Sequence, residues 1–241
     1  MAFKLEELLI CCLSRKLHKK RHIAIGAASP IPAGAAFMAR EEANKGMHIT
    51  LLASQKHNHF TDGSRELFDA AAQGRIDAFF LGGVQIDGQA NINLIGTGEY
   101  PNTQRRFPGS FGSALMYYVV PSVFLFRLQH NRRSMVEAVD FISAPGFSPP
   151  EVYRPGGPVA LITDKCLFAV DSEKQRFRLE SLHPNVSLEE VIDLTGFAFD
   201  YEENPPTTET PTSSQLDLLR GTIAQEIAES YPLFAKQTFG I

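Results

Sequence analysis

Glycines and side-chain amides are concentrated in one short segment, residues 81–93 (LGGVQIDGQANIN). Gly82 and Gly83 follow an apolar stretch that predicts a buried strand. Glycine adopts positive φ and allows close approach of a ligand or another chain. Ligands of α/β proteins bind at the carboxyl ends of strands. The segment therefore predicts a binding site, although a tight structural turn would use the same two glycines.

Asn91 and Asn93 are the side chains in this segment that suggest binding. They share one face of the outgoing strand, where two amides either fix a neighbouring loop or hold a polar ligand. Asp87 precedes them, and aspartate is a common residue in turns, so Asp87 is predicted to be a turn residue. Glu99 is the other acidic residue in the nearby loops.

Two features downstream suit an anion. Arg105 and Arg106 either bind a phosphate or are an ordinary pair of surface arginines. The loop that follows opens a predicted helix, whose free amides would suit an anion or an oxyanion. The candidate groups in this loop are Gly109, Ser110 and Gly112. The chain contains no Walker A motif and no Gly-x-Ser-x-Gly elbow, so those two chemistries are unsupported.

We expect no metal site. Cys11, Cys12 and Cys166 lack ligand spacing, and His57 and His59 lack a third partner. The sparse cysteines suit a reducing, cytoplasmic compartment. A net charge of -4 favours neither nucleic acid nor membrane as a partner.

The first half of the chain alternates strands with helices. Strands are predicted at 22–26, 49–53 and 76–81, and Ser64 is the predicted N-cap of the helix before the third. This alternation predicts an α/β fold, with a mostly parallel sheet and flanking helices. We expect residues 1–241 to form one domain.

The second half is predicted to be richer in strand. Residues 123–128 and 135–142 are predicted strands, and residues 158–182 a hairpin. Ser187 and Glu190 predict a capping box for a helix over 188–194. A polar loop and a last helix, predicted at 215–230, complete the chain.

Five motifs in a fixed order resemble the β subunit of two-chain, class I coenzyme A transferases of the glutaconate and 3-oxoacid type. They are 82–93 (GGVQIDGQANIN), 107–112 (FPGSFG), 139–146 (VDFISAPG), 157–164 (GPVALITD) and 182–186 (LHPNV). The resemblance implies a coenzyme-A-transferase-like fold, an acyl-CoA substrate, no permanently bound cofactor and an α subunit of similar fold. It implies a heterotetramer, or a homo-oligomer when the chain is isolated. Our candidate residues for binding substrate or coenzyme A are Gly82, Gly83, Gln85, Asn91, Asn93, Arg105, Arg106, Gly109, Ser110 and Gly112.

The resemblance fails at one position. Relatives hold a glutamate at the end of the second strand, where it attacks the thioester, and here that position is Ala53. Alanine has no nucleophile, so covalent catalysis cannot proceed through it. Ser54 is adjacent, but no neighbour in the sequence is an evident base. Glu99 is the remaining candidate carboxylate.

A branch similar to the steroid ring-cleaving hydrolases also lacks this glutamate, and there the α chain supplies the carboxylate. The resemblance therefore favours hydrolytic or C–C-cleaving chemistry by a partner chain. The alternatives are a transferase that uses another carboxylate, a non-catalytic partner that stabilises or regulates the α chain, and a sugar-phosphate isomerase or transcriptional sensor. Tyr117, Tyr118 and Phe124 either form the docking surface for the α chain or belong to the core. The sequence does not specify the acyl group.

Overall fold

The computed structural model describes residues 2–43 and 45–241. The helices are α1 (Leu5–Leu17), α2 (Pro30–Glu42), α3 (Gly63–Ala72), α4 (Ser113–Val119), α5 (Leu188–Leu194), α6 (Ser213–Leu218), a π-helical turn π1 (Leu219–Ile223), α7 (Ala224–Ser230) and α8 (Pro232–Phe239). The strands are β1 (His22–Ile25), β2 (His48–Leu51), β3 (Ala78–Leu81), β4 (Gln85–Ile86), β5 (Ile92–Asn93), β6 (Gly96–Thr97), β7 (Arg105–Arg106), β8 (Ser122–Arg127), β9 (Pro158–Thr163), β10 (Cys166–Asp171) and β11 (Arg176–Leu182). Two compact units are present. The first comprises the described residues up to 70 with 75–80 and 209–241, and the second comprises 71–74 and 81–208.

The first unit contains three parallel strands. β1 pairs with β2 from His22 opposite His48 to Ile25 opposite Leu51, and it also pairs with β3. All four residues of β3 are buried, as expected where helices cover a parallel sheet. The predicted alternation and the α/β class are confirmed.

Helices α1, α2 and α7 pack closely in the first unit. A Cβ on Gly34 of α2 would lie 2.9 Å from Cδ1 of Ile227 and 3.0 Å from Cδ1 of Ile10. Glycine therefore sets the spacing of these three helices. Within the described part of the chain, no helix is long and apolar enough to cross a membrane.

The carboxyl-terminal region differs from its prediction, which was a single helix over residues 215–230, in three ways. It begins at Ser213, where Thr212 forms a capping box with Gln215, and it contains the π-helical turn. A further helix, α8, follows it and was not predicted. Gly240 ends α8 with a φ of 81°, a left-handed conformation that glycine adopts easily.

The second unit holds the strands of the later half. β8 and β9 are parallel, whereas the pairs β9–β10 and β10–β11 are antiparallel. The predicted hairpin and the β-rich second half are confirmed. Phe168 packs against Phe177 and Phe199, with ring centroids 5.7 Å and 5.0 Å apart. Ser187 accepts the amide of Glu190 as the predicted N-cap.

Two local predictions were wrong. Residues 135–142 form no strand: their pairing with β4 is a single isolated bridge, and the amides of Val139 and Asp140 bond to side chains instead. Ser64 does not cap α3, since that helix begins one residue earlier, at Gly63. Glu66 instead accepts the amide of Asp62 at 2.8 Å.

Two of the three aromatic residues proposed for docking belong to the core. Tyr117 and Phe124 are buried. The Tyr117 hydroxyl donates to the carbonyl oxygen of Ala90 at 2.7 Å. Tyr118 is half-buried. For Tyr117 and Phe124, core packing is therefore the correct interpretation.

Candidate functional site

The segment 81–93 folds into a small hairpin made of β4 and β5. Gln85 lies opposite Asn93 in this pairing. A Cβ on Gly83 would lie 2.7 Å from the carbonyl oxygen of Gln85, and one on Gly82 would lie 3.2 Å from that of Phe126. Glycine at both positions therefore allows two backbone segments to lie close together.

Asp87 and Asn91 organise the hairpin turn. The Asp87 carboxylate accepts the amides of Gln89 and Asn91 and the Asn91 side-chain NH₂, each at 3.0 Å. The Asn91 oxygen in turn accepts the amide of Gly146 at 3.0 Å. Asp87 is thus a turn residue, as expected, and Asn91 joins the turn to the loop over residues 139–146.

Asn93 makes every hydrogen bond that its amide permits. Its nitrogen donates to Oε1 of Gln85 and to the carbonyl oxygen of Gly96, both at 2.7 Å. Its oxygen accepts the amides of Ile95 and Gly96 at 3.0 and 3.3 Å. The side chain is fully buried. Asn93 therefore fixes the neighbouring loop, one of the two roles predicted for it.

Gln85 and Asp140 extend this polar cluster. Oε1 of Gln85 also accepts the Asp140 amide at 3.1 Å, and the Asp140 carboxylate accepts the amide of Gly98 at 2.7 Å. Nε2 of Gln85 has no acceptor among the residues that the structure describes. Asp140 was missed as a site residue because it fell within the wrongly predicted strand.

A cavity of about 630 Å³ adjoins Gln85 and Thr97 in the second unit. Four guanidinium groups line it, together with apolar and amide side chains. The arginines are Arg105, Arg127, Arg132 and Arg133. Only Arg105 of these four was predicted from the sequence, since the others carry no motif and meet only in the fold.

The paired arginines Arg105 and Arg106 do not act together. Both lie on β7, which pairs with β6, and both are exposed. Arg105 lies over the ring of Phe107 at 5.5 Å, whereas Arg106 lies over the ring of Tyr100 at 5.8 Å. Only Arg105 lines the cavity.

The loop of Gly109, Ser110 and Gly112 leads into α4, a helix of seven residues. The carbonyl oxygen of Ser110 accepts both the amide and the hydroxyl of Ser113, at 2.7 and 2.5 Å. Phe111, between Ser110 and Gly112, is 85% exposed. One amide predicted to be free is therefore used within the loop, and the proposed oxyanion role stays a prediction.

The loop after β2 holds an acidic side chain that the sequence did not reveal. Ala53 is exposed just beyond the strand. The hydroxyl of Ser54 donates to Oε2 of Glu229 at 2.7 Å. Oε1 of Glu229 accepts the amides of Gln55 and Lys56 at 2.9 and 3.2 Å. Ser54 has no base beside it in the sequence, but the fold brings it a carboxylate from α7, 175 residues later.

This carboxylate is a weak base. Partial burial alone would raise the pKa of Glu229, but hydrogen bonds from Ser230, Ser54 and two backbone amides outweigh it and lower the pKa to about 2. Ser54 is itself buried and accepts the amide of His57 at 2.8 Å. The pair therefore stabilises the loop and does not form an activated nucleophile.

Glu226 makes a second link from α7 to the same loop. Its Oε2 lies 2.6 Å from Nε2 of His57, and its Oε1 lies 3.1 Å from Nζ of Lys56. Burial would raise the pKa of Glu226, yet the hydrogen bonds from Lys56 and His57 lower it. No local pattern could have predicted either contact, since both join segments far apart in the chain.

Glu99 lies apart from these clusters. Its side chain is exposed, and it does not line the arginine cavity. The amide of Gly98, next to it, is bonded to Asp140 instead. Glu99 stays a candidate carboxylate on the strength of the sequence alone.

Comparisons with known proteins agree with the resemblance seen in the sequence. The chain is 35% identical over 161 residues to the β subunit of 3-oxoadipate CoA-transferase from Pseudomonas knackmussii, a match that covers 64% of this chain and 62% of that protein. It is 31% identical over 152 residues to the β subunit of glutaconate CoA-transferase from Acidaminococcus fermentans, with 60% and 56% covered. It is 29% identical over 160 residues to the cholesterol ring-cleaving hydrolase IpdB subunit of Rhodococcus jostii, with 65% and 62% covered. Each match therefore spans less than two thirds of the relative.

The fold extends over the whole chain. The crystal structure of glutaconate coenzyme A-transferase from Acidaminococcus fermentans superposes with a TM-score of 0.81 at 20% identity, covering 99% of this chain and 98% of that one. The family model for coenzyme A transferase matches residues 5–194. This chain is thus a member of the coenzyme A transferase family.

Proposed function

We propose that this chain is the β subunit of a two-chain enzyme that acts on an acyl-CoA thioester, and that the α subunit supplies the reactive carboxylate. The observation that carries the proposal is Ala53, at the carboxyl end of β2, where relatives hold a nucleophilic glutamate. The names of its relatives support the β-subunit assignment, since all three are subunits of larger enzymes.

The geometry of the loop after β2 supports the absence of a nucleophile on this chain. A thioester-attacking carboxylate needs free lone pairs and ready access to the acyl carbon. Glu229 accepts four hydrogen bonds, and its low pKa marks a weakly nucleophilic oxygen. Ser54 is buried beneath it.

Hydrolytic or C–C-cleaving chemistry suits such a chain better than group transfer. Transfer by exchange needs a covalent enzyme intermediate, whereas hydrolysis can use water activated by a carboxylate of the partner. Under this proposal the chain contributes binding and orientation. Its groups are the hairpin held by Asn91 and Asn93, the amide of Gln85 and the loop over residues 109–112.

One observation favours a transferase that uses its own carboxylate. Glu229 lies in contact with Ser54, one residue from the position of the missing glutamate. A shift that freed Glu229 from its donors would restore a nucleophile near that position. The third possibility is that the chain is a non-catalytic partner. The alanine at position 53 is the observation that suggests this role too.

The experiment is a product analysis on the complex isolated through a tag on this chain. Acyl-CoA thioesters are supplied with and without acetate as acceptor, in water enriched in heavy oxygen. The proposal predicts heavy oxygen in the product and no dependence on acetate. Formation of acetyl-CoA instead would establish transfer, and full activity of the α subunit alone would establish a non-catalytic role for this chain.

A further inference from the structure

A second cavity lies at the opposite end of β8 from the arginine cavity. Its volume is about 400 Å³, within the range of roughly 300–1,000 Å³ that is usual for small-molecule sites. Pro121 precedes β8 and Pro158 begins β9, so this cavity adjoins the amino ends of two parallel strands. Arg127, which lines the arginine cavity, is the last residue of β8. A strand of six residues therefore separates the two cavities by roughly 17 Å.

The walls of this second cavity are mostly apolar and rigid. Four of its lining residues are prolines, and we call it the proline cavity: Pro121, Pro149, Pro150 and Pro158. Each proline ring fixes φ of its residue. Gly156 holds the loop over residues 146–158 close to the end of α4, since a Cβ there would lie 2.1 Å from the carbonyl oxygen of Val120. A rigid cavity loses little conformational entropy when a ligand binds.

Arg154 brings a positive charge to these apolar walls. It is the one charged side chain among the described residues that line the proline cavity, and it is half-buried. Within residues 2–43 and 45–241, no carboxylate forms an ion pair with it. Burial lowers the pKa of Arg154, and two tyrosines rather than a carboxylate act in the opposite direction. A cation in such a place favours an anion as its ligand.

The guanidinium group of Arg154 is held in a fixed orientation. Its Nε donates to the carbonyl oxygen of Gly156 and its Nη2 to that of Tyr117, both at 2.9 Å. Its Nη1 makes only a long contact, 3.4 Å, to the hydroxyl of Ser148, which also lines the cavity. These contacts use three of the five N–H donors of the guanidinium group. In the part of the chain that the structure describes, the other donors stay available for an anion.

The combination of one charge and apolar walls selects the ligand. A carboxylate accepts two parallel N–H bonds from a guanidinium group, and an apolar body behind the carboxylate would cover Phe147 and the prolines. A phosphate monoester carries about −1.5 to −2 at neutral pH, more than one arginine neutralises. We propose that the proline cavity binds a small monocarboxylic acid with an aliphatic or aromatic body. This inference is independent of the proposed function, because it assumes no acyl-CoA ligand.

The test measures the binding of hexanoate and benzoate to the full chain by calorimetry, with hexanamide and benzamide as neutral probes of similar shape. Because a charged hydrogen bond to Arg154 is lost with the amides, they should bind at least about tenfold more weakly than the acids. Arg154→Gln should remove this difference between acid and amide. The control, Arg178→Gln, removes an exposed charge on β11 outside the cavity and should preserve the difference.

A second pair of variants keeps Arg154, since that side chain also supports the loop. Val152 lines the cavity and is 41% exposed, so a polar residue fits there without disturbing the core. Val152→Asp places a negative charge near the bound carboxylate, whereas Val152→Asn has nearly the same shape without the charge. The aspartate variant should bind hexanoate about fivefold more weakly than the asparagine variant. A circular-dichroism melting curve for each variant verifies that the fold is retained.

Four outcomes would overturn the inference. The first is that the unmodified chain binds neither acid, and the second is that it binds acids and amides equally well. The third is equal affinity of the two Val152 variants for hexanoate, which would place the carboxylate elsewhere. The fourth is displacement of hexanoate by coenzyme A, which would assign the acid to the acyl-CoA site. The first three leave the proposed function as it stands, and the fourth would agree with it.

Discussion

Single side chains in this protein mostly hold loops in place. Asn93 makes three hydrogen bonds to the loop that follows it and one to Gln85 of β4, and Glu229 receives four at the loop after β2. The two differ in how far the sequence reveals them. Asn93 could be selected from the sequence because it lies within a recognisable motif, whereas Glu229 could not, because α7 meets β2 only in the folded chain.

Replacing Asn93 with alanine should destabilise the protein by about 3 kcal/mol, because buried backbone and side-chain groups lose their partners. The measurement is the free energy of unfolding in urea. Asn102→Ala, in an exposed loop, is the matched control and should change this energy by less than about 0.5 kcal/mol. An equal effect of both substitutions would mean that the four hydrogen bonds of Asn93 carry no stability.

Glu229 should make stability depend on pH. Its folded-state pKa of about 2 lies below the ordinary value of 4.5, so its contribution is complete above pH 4.5 and is lost as the pH falls toward 2. Solvent screening at this exposed site reduces the contribution to about 1 kcal/mol. Unfolding free energies measured from pH 6 to 3 should fall less steeply in Glu229→Gln.

The matched control for that titration is Glu6→Gln, which removes a carboxylate from the same unit. Glu6 accepts no hydrogen bond from the part of the chain that the structure describes. Its variant shows whether the loss of a carboxylate without such hydrogen bonds is enough to change the slope. Identical slopes for all three proteins would show that Glu229 is not held as described.

At the level of elements, close backbone contacts hold the loop over residues 139–146 against the β4–β5 hairpin turn. A Cβ on Gly146 would lie 2.1 Å from the carbonyl oxygen of Gln89, in the hairpin turn. No L side chain fits there without moving one backbone away from the other. Gly146 thus allows the loop over residues 139–146 to reach Asn91 and Asp87.

Gly146→Ala should destabilise the protein by about 3 kcal/mol or more, since the clash involves backbone that cannot rotate away. Gly221→Ala is the matched control. No atom lies within 4 Å of a Cβ at Gly221, which sits within a helix, so alanine should be neutral or should stabilise by up to about 1 kcal/mol. Thermal melting of both variants compares them, and a tolerated Gly146→Ala would mean that the loop does not pack against the turn.

The sequence predicted regular elements better than loops. Apolar periodicity located β1, β2, β3 and the hairpin over 158–182, because burial repeats along those segments. Residues 135–142 are also rich in apolar side chains, but the amides of Val139 and Asp140 bond to the side chains of Asp87 and Gln85. Side-chain hydrogen bonds and not periodicity therefore determine their structure. Helix α8 was missed, although Pro232 at its start and Gly240 at its end are typical helix boundaries.

At the scale of the whole molecule, the family model matches residues 5–194 and the fold extends over nearly the full chain, whereas activity, partner and substrate are proposals. The proposed function rests on Ala53, at the position where the family resemblance implies a nucleophilic glutamate. Because alanine offers no nucleophile, the proposed function requires that the covalent chemistry of the complex does not occur on this polypeptide.

The most direct test is a search for a covalent intermediate on this chain. The tagged complex is incubated with its acyl-CoA substrate and treated with borohydride, which reduces a glutamyl thioester to a primary alcohol and releases coenzyme A. Both subunits are then weighed by mass spectrometry. An Ala53→Glu variant provides the matched control, in which a glutamate at this position can form the thioester and be reduced. We predict that the mass of this chain does not change in the unmodified complex, whereas reduction of Glu229, Glu99 or any other carboxylate of the chain to an alcohol would contradict the proposed function.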